Sequence, residues 1–357
     1  MSTSQAPIFY SVSAQHDNLG DIEIRRQMLS WLRETGRPLV IFGGPMPQSY
    51  KEAMGLVPTE IVVSSVKFEL ELLKAALQGR AAFILAPGPQ VFGPRRLAVR
   101  SAINLLNAGI VRARGGHCIA VGRSLRGVTS LGKFLDRTLV RLFDIYSVRD
   151  DVSAAQIGLA LQRHPDMAFG HLDTAATSRT RKLVTISLRY DRLVQVESLR
   201  PLIDECRKHG LDVVFASQVH RDDDQHARLA RDLGVRAELW GQRSHTEQEE
   251  ALRSSYRRTL FSVSNRLHGL IMAAQCGSLP VTLSADSSDK ISSTFKDVLT
   301  HSSLPSEGLS DALTWLGEAD VVTDKQNLLD RELHEARATL DSLRRSVVRT
   351  LATADEL

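Results

Sequence analysis

The length and composition of the chain indicate a globular protein with two domains. It has 357 residues, of which 43% are hydrophobic and 24% are charged, enough for two hydrophobic cores of ordinary size. The formal net charge is +4, the basic residues are scattered, and only 5% of residues are aromatic, so a base-stacking surface for nucleic acid is not supported. A mild positive charge suits anionic small molecules or an anionic membrane surface instead.

The cysteines and the first residues bear on the compartment. Cys118, Cys206 and Cys276 are far apart, which predicts free buried thiols in a reducing compartment. The segment MSTSQAPIFYSVSAQHDN lacks the basic start and long apolar core of a signal peptide, and no run of 18 apolar residues could span a membrane. We therefore expect a cytoplasmic protein. Since no cysteine, histidine or acidic group has a convincing metal-ligand spacing, we expect no metal and no cofactor.

Strands and helices alternate through the first half of the chain. A strand at 7–13 leads into the polar turn Asn18-Leu19-Gly20-Asp21, and apolar residues at helical spacing follow up to Gly36. Further strands are predicted at 38–42, 61–66, 81–86, 116–121 and 142–146, with helices at 68–77 and 95–112. This alternation predicts a parallel sheet covered by helices. Asp21 is also well placed as a simple helix N-cap.

A second alternating series begins at Lys182. Its predicted strands are 182–189, 211–216, 260–263 and one that ends near 283, and its predicted helices are 201–210, 225–234 and 270–276. The small polar segment before it reads as a linker. We therefore predict an N-terminal domain at 1–172, a linker at 173–181, a C-terminal domain at 182–322 and a C-terminal helix at 323–357.

The predicted C-terminal helix is amphipathic. Leucine, alanine and valine side chains between 329 and 351 recur every three or four residues, with most arginines off that stripe. We expect the stripe to pack on the protein, in particular back on the first domain. The alternative is contact with an anionic membrane surface.

The stretch 259–290 contains the side chains best suited to chemistry. Arg266 and His268 follow a short apolar strand and stand at the start of a helix, where α/β folds bind anions. Arginine offers a planar fork to phosphate or carboxylate, and histidine exchanges protons near neutral pH. Lys290, beyond the next strand, adds a second cation. The alternative is that Arg266 and His268 only hydrogen bond to neighbouring loops.

Three other polar turns follow predicted strands. Arg149 stands between a strand and a helix as Arg266 does, and its alternative role is a salt bridge to Asp150 or Asp151. Arg189 ends the first strand of the second half. The segment QVHRDDD at 218–224 could suggest a metal site, but consecutive acids before a helix are more often a solvated charge cluster, which is our prediction here.

These pieces, in this order, resemble the polysaccharide pyruvyl transferase family. Asn18-Leu19-Gly20-Asp21 resembles the family's N-x-G-D start, and SNRLHGLIMAAQCGSLPVTL with Lys290 downstream resembles its C-terminal signature. Elements between them are similar to the family's S-x-R-(D/E), P-D and S-L-R elements, at 147–150, 165–166 and 187–189. The resemblance covers about 18–290. The chain departs from the family at 87–94, where a Pro/Gly loop replaces a run of glycines.

The resemblance implies a fold and an activity. The fold is α/β, with two doubly wound, Rossmann-like domains facing a cleft, as in GT-B glycosyltransferases. The implied reaction moves a pyruvyl group from phosphoenolpyruvate onto two hydroxyls of one sugar in a glycan or its precursor, forming a cyclic ketal and releasing phosphate. Phosphoenolpyruvate is the donor substrate, and neither a cofactor nor a metal is implied.

The resemblance also implies roles for particular residues. His268 is the expected acid and base. Phosphoenolpyruvate binding is expected from Arg149, Arg266, Leu267, Lys290 and Arg189, and acceptor binding or cleft lining from Asn18, Gly20 and Asp21.

Two other functions remain open at this point: a GT-B glycosyltransferase that uses a nucleotide sugar, and a non-catalytic protein that binds sugar phosphates or nucleotides. The acceptor sugar, its hydroxyl pair and the oligomeric state cannot be read from the sequence. A lipid-linked acceptor would bring the protein to the inner face of the membrane.

Overall fold

The computed structural model describes most of the chain. The described residues are 5–79, 81–89, 94–126, 129–173, 181–192, 194, 196–283, 290–304 and 313–352, without the side chains of 94–98. The chain forms two compact units. Unit 1 comprises Met1–His16, Asp21–Gly170 and Ala338–Leu357, and unit 2 comprises Asp17–Gly20 and His171–Arg337. The linker predicted at 173–181 lies outside the described residues except for its two end residues.

Unit 1 is built on an eight-stranded sheet whose strand pairs are all parallel. Its spatial order is β3-β2-β1-β4-β6-β7-β8, and β5 pairs with β6 beside this path. In chain order the strands are β1 (Ile8–Ser11), β2 (Leu39–Phe42), β3 (Ile61–Val63), β4 (Ala82–Leu85), β5 (Gly88–Pro89), β6 (His117–Ser124), β7 (Ile145–Val148) and β8 (Gln162–Arg163).

Helices cover this sheet and close its core. Phe9 and Phe83 from the strands pack in one buried cluster with Phe68 and Leu72 of a covering helix. Two helices begin at side-chain N-caps, because Thr129 accepts from the amide of Gly132 and Asp150 from that of Ser153. The helices are α1 (Leu19–Arg33), α2 (Gln48–Ala53), α3 (Ser65–Gln78), α4 (Pro94–Ala113), α5 (Ser130–Leu142) and α6 (Asp151–Ile157).

Unit 2 is built on a six-stranded parallel sheet in the order β11-β10-β9-β12-β13-β14. This is the third, second, first, fourth, fifth and sixth strand of the unit, which is the doubly wound order of dinucleotide-binding folds. The strands are β9 (Leu183–Ser187), β10 (Asp212–Ala216), β11 (Arg236–Glu238), β12 (Thr259–Ser264), β13 (Leu279–Leu283) and β14 (Ser302–Leu304).

The helices of unit 2 have readable start and stop signals. A capping box between Ser244 and Glu247 begins one helix, and Gly234 ends another in the left-handed conformation. The helices are α7 (Val196–Lys208), α8 (Asp223–Leu233), α9 (His245–Arg257), α10 (Leu267–Gln275), α11 (Lys290–Phe295) and α12 (Ala319–Ala352).

The last helix, α12, buries the predicted apolar stripe. Leu329, Leu333, Leu340 and Val347 are all at most 3% exposed. The part of α12 up to Arg337 belongs to unit 2, and the part from Ala338 onward belongs to unit 1. No described helix is long and apolar enough to cross a bilayer.

The predicted α/β fold, with two doubly wound parallel sheets and a C-terminal helix, is confirmed. The strand predicted at 61–66 is wrong at its end, because β3 stops at Val63 and α3 begins at Ser65. In each sheet the strand order reverses at one point, between β1 and β4 in unit 1 and between β9 and β12 in unit 2. Ligand crevices of open α/β sheets form at the carboxyl ends of the strands at such points.

Candidate functional site

Hydrogen bonds tie together the two strand ends at the switch point of unit 2. Ser264 Oγ, at the end of β12, donates to the carbonyl of Ser187 at the end of β9 (2.5 Å). The same oxygen accepts from the amide of Arg266 (2.8 Å). The Asn265 side chain accepts from the amide of Arg189 (2.8 Å). These bonds fix the chain where it turns into α10.

The guanidinium of Arg266 is held by a buried carboxylate. Its Nε and Nη2 donate to Asp222 Oδ2 and Oδ1, at 2.8 and 2.5 Å. Asp222 is fully buried and also accepts from the amide of Tyr190 (3.0 Å). A two-point contact of this kind fixes the plane of the guanidinium, and Nη1 is not part of it.

The acidic cluster at 222–224 is not the solvated charge cluster predicted from the sequence. Asp222 is fully buried against Arg266, and Asp223 accepts from the amides of Trp240 (3.0 Å) and Gly241 (2.8 Å). That prediction is therefore wrong, because two of the three acids satisfy specific donors. Among the residues the structure describes, no group of three His, Cys, Asp or Glu is arranged to hold a metal ion.

The first turn of α10 presents an anion-binding arrangement. Arg266 is its N-cap residue and makes no side-chain capping bond to the helix. The first amides of a helix have no partner within the helix, and the helix dipole is positive at this end. Leu267 and His268, the first two residues of α10, therefore stand where a phosphate or carboxylate binds well.

His268 packs directly against Gly20. His268 is 8% exposed, and a Cβ added to Gly20 would lie 2.2 Å from its Nδ1, far inside contact distance. Asn18 Oδ1 accepts from the amide of Gly20 (3.1 Å), and Asn18 forms a β-bridge with Val219. Only a glycine at position 20 allows the imidazole of His268 to lie this close to the backbone. The segment at 17–20 thus belongs to unit 2, beside His268.

Two other predicted donor ligands also lie in unit 2. Arg189 donates from Nε and Nη2 to Asp191, at 2.8 and 2.6 Å, and this contact with a partly exposed side chain lowers the pKa of the Asp191 carboxyl. Through its amide contact with Asn265, Arg189 stands beside the turn that carries Arg266. Lys290 is the first residue of α11 and is half-buried.

The two remaining predicted site residues lie in unit 1. Arg149 is completely buried, and its Nη1 donates to Asp166 (2.5 Å). Asp150, the salt-bridge partner considered from the sequence, lies 3.9 Å from its Nε and makes a two-point contact with Arg126. Arg149 belongs to unit 1 and Arg266 to unit 2, and the role of Arg149 in donor binding stays a prediction.

Asp21 lies on the first turn of α1. Its carboxylate accepts from Arg25 (3.1 Å), so it is held by a cation four residues along the same helix. Asp21 belongs to unit 1, whereas Asn18 and Gly20 of the same motif belong to unit 2.

A buried histidine that sequence reasoning missed positions the β9 end of the site. His226 of α8 accepts at Nε2 from the amide of Leu188 (2.8 Å), which leaves the ring proton on Nδ1, next to Ser217 Oγ (2.9 Å). Burial lowers the pKa of His226 to about 4. Its helical spacing with Leu229 and Leu233 could have indicated a core-facing side chain.

The two doubly wound sheets place the protein in the GT-B-like class. Anabaena HepE in complex with UDP is similar over 97% of this chain and 99% of that chain, with 10% identity and a TM-score of 0.59. The UDP-GlcNAc 2-epimerase of Neisseria meningitidis bound to UDP-GlcNAc is similar over 94% and 99%, with 8% identity and a TM-score of 0.56. The α,α-trehalose 6-phosphate synthase of Burkholderia multivorans is similar over 98% and 96%, with 11% identity and a TM-score of 0.55.

Within this class, the chain belongs to the polysaccharide pyruvyl transferase family. The family model matches residues 18–278, which run from Asn18 through the whole of α10. The resemblance predicted from the sequence motifs is confirmed. No curated protein sequence matches the chain.

We expect Gly20→Ala to displace His268, because the added methyl group would overlap the imidazole. The overlap should also lower the free energy of unfolding by about 1–3 kcal/mol. A crystal structure of the variant measures the displacement. Gly109→Ala is the control, since a Cβ added there meets nothing within 4 Å. An unmoved imidazole in Gly20→Ala would contradict the described packing.

Acidification should destabilise the protein through His226. The unfolded histidine titrates near pH 6.5, whereas the buried one has a pKa of about 4. Below about pH 6.5 the unfolded state takes up a proton that the folded state excludes. The free energy of unfolding therefore falls as the pH drops from about 6.5 to about 4. Urea unfolding at several pH values between 7 and 5 gives the free energy of unfolding at each pH. This free energy should change less steeply with pH in His226→Gln than in the wild type. Equal slopes would rule out this role for His226.

Proposed function

We propose that the protein transfers the pyruvyl group of phosphoenolpyruvate to two hydroxyls of one sugar, giving a cyclic ketal and phosphate. The supporting observation is the arrangement on the first turn of α10, in a chain of this family. There the oriented guanidinium of Arg266 stands two residues from His268, at the switch point of the unit 2 sheet. This reaction requires an anion-binding site beside a group that can act as acid and base.

The donor anion would bind mainly through fixed dipoles. Arg266 and Arg189 are each paired with a carboxylate, Asp222 and Asp191, so neither contributes a full uncompensated charge. The amides of Leu267 and His268, with Arg266 Nη1, would therefore bind one charged group of phosphoenolpyruvate. Lys290 and Arg149 complete the proposed set of donor ligands.

The proposed chemistry begins with proton transfer. His268 donates a proton to C3 of phosphoenolpyruvate, which makes C2 electrophilic, and the oxygen of one sugar hydroxyl bonds to C2. The second hydroxyl oxygen then bonds to C2 as the bond from C2 to the phosphate oxygen breaks. Of the two hydroxyl protons released, one returns to His268 and the other leaves with phosphate. The new methyl group thus carries the hydrogen that His268 supplied.

The sugar acceptor is proposed to contact Asn18, Gly20 and Asp21. Asn18 and Gly20 lie beside His268, the group that would receive a hydroxyl proton. A lipid-linked acceptor would make the protein work at the inner face of a membrane. Neither a metal nor a cofactor takes part in the proposed reaction.

Incubation with alternative donors tests the function. We expect phosphate release from phosphoenolpyruvate that depends on a glycoside acceptor, in a panel of synthetic and lipid-linked glycosides. The product should gain the mass of one pyruvyl ketal. Release of nucleoside diphosphate from a nucleotide sugar would instead favour a glycosyltransferase. Ligand binding without either product would favour a non-catalytic protein.

Replacing His268 should separate catalysis from binding. In His268→Asn we expect turnover to fall by about 10²–10⁴-fold, the usual contribution of a proton-transfer group. Phosphoenolpyruvate affinity should stay within about tenfold, because the group moves a proton rather than holding the anion. Phosphate release and isothermal calorimetry measure the two effects. His334→Asn, on the exposed surface of α12, is the control. A near-normal rate in His268→Asn would show that the assignment is wrong.

Replacing Arg266 requires a compensated variant. Arg266→Gln leaves Asp222 buried without its cation, so it should lose stability as well as phosphoenolpyruvate affinity. The double variant Arg266→Gln/Asp222→Asn should recover stability and still bind phosphoenolpyruvate more weakly by roughly 2–3 kcal/mol, the value of a charge-assisted hydrogen bond. Urea unfolding and calorimetry measure the two quantities. Wild-type affinity in the double variant would exclude Arg266 from the donor site.

A further inference from the structure

Unit 1 has a cavity of its own at the switch point of its sheet. Its volume is about 290 Å³, and its lining includes residues that follow β1 and β4, the two strands between which the order reverses. Three arginines, Arg25, Arg100 and Arg123, take part in the lining. None of them was predicted from the sequence as a site residue. The volume is close to the lower end of the range for small-molecule sites.

The lining carries one positive charge in excess. Its charged side chains are the three arginines and two carboxylates, Asp21 and Glu69. Asp21 pairs with Arg25 (3.1 Å), and Glu69 accepts from Asn107 Nδ2 (2.7 Å). Burial lowers the pKa of Arg100, Glu69 opposes that change, and Arg123 adds to it. Two guanidinium groups thus lie close enough to repel each other.

Three buried side chains of the lining have unmet hydrogen-bonding capacity. Arg123, Arg25 and Asn104 are 4%, 6% and 2% exposed. Arg123 donates from Nη1 to the carbonyl of Ala86 (2.5 Å). Among the described residues, however, Nε of both arginines and Oδ1 of Asn104 have no partner. These three atoms are covered by their neighbours, so a ligand in the cavity would contact the other polar side chains of the lining, among them Arg100, Ser11 and Ser13.

The charge and the polar side chains of the lining define the chemistry of that ligand. The excess positive charge and the guanidinium donors call for a monoanionic acceptor, such as one carboxylate. Ser11 and Ser13 also line the cavity, and their hydroxyl groups can pair with hydroxyl groups of a ligand. Its wall also contains Phe42, Phe68 and Phe83, which suit the apolar face of a sugar ring.

We propose that this cavity binds a sugar acid, a hydroxylated ring that carries a single carboxylate. The inference concerns unit 1 alone and does not depend on the donor reaction, although Asp21, one of the proposed acceptor contacts, also lines the cavity. A phosphorylated sugar offers the same hydroxyl groups with a second negative charge, which exceeds the single positive charge of the lining.

Direct binding measurements on the full chain test the proposal. Glucuronate, glucose and glucose 6-phosphate are titrated into the protein and followed by calorimetry or saturation-transfer NMR. We expect glucuronate to bind at least about tenfold more tightly than either of the others. Arg100→Gln should weaken glucuronate at least about tenfold, the effect of losing a charge-assisted bond. Arg100 is suitable because it is only half-buried. Arg141→Gln, on the exposed surface of α5, is the control and should bind as the wild type does.

Each other outcome overturns the proposal. Equal affinity for glucuronate and glucose removes the anion requirement, and tighter binding of glucose 6-phosphate makes the ligand a phosphate. If Arg100→Gln binds glucuronate as the wild type does, the glucuronate site lies outside the cavity. The result is independent of the donor reaction. Acceptor-dependent phosphate release without glucuronate binding would leave the proposed function standing, and Arg100-dependent glucuronate binding without turnover would leave the cavity assignment standing.

Discussion

The buried ion pair between Arg266 and Asp222 organises the polar end of unit 2. Because Asp222 is fully buried and also accepts from the amide of Tyr190, it joins the turn after β9 to the turn after β12. Breaking such a pair from one side leaves an uncompensated charge, which is strongly destabilising. The pair therefore holds the guanidinium in one orientation at the start of α10. The amides and imidazole of that helix are displayed in a fixed geometry as a consequence.

Two family motifs far apart in the chain meet at His268. The Asn18-Leu19-Gly20-Asp21 turn places Gly20 against the imidazole. A glycine is required there because any side chain would overlap His268. In unit 1, the arginine of the S-x-R element and the aspartate of the P-D element form a fully buried ion pair, Arg149–Asp166. In this structure the glycine of the first motif and the ion pair of these two elements therefore have packing roles.

Much of the fold could be predicted because the strands of buried parallel sheets are short apolar runs between turn residues. The start of α9 was readable too, since Ser244 and Glu247 have the spacing of a capping box. Partners of charged groups could not be predicted. Asp222 lies 44 residues before Arg266, and only tertiary packing decides whether an acidic cluster faces water or a guanidinium. The arginine-lined cavity of unit 1 was missed for the same reason, because its arginines come from α1, α4 and β6.

The central claim is that the donor anion binds on the first turn of α10 beside His268. Histidine-labelled protein titrated with phosphoenolpyruvate tests it by ¹⁵N NMR, since the chain has 11 histidines and single substitutions assign the two of interest. The account predicts that the ring resonances of His268 shift in a saturable manner while those of His226, fully buried and bonded to the amide of Leu188, stay in place. Saturation by phosphoenolpyruvate with no change at His268 would contradict it.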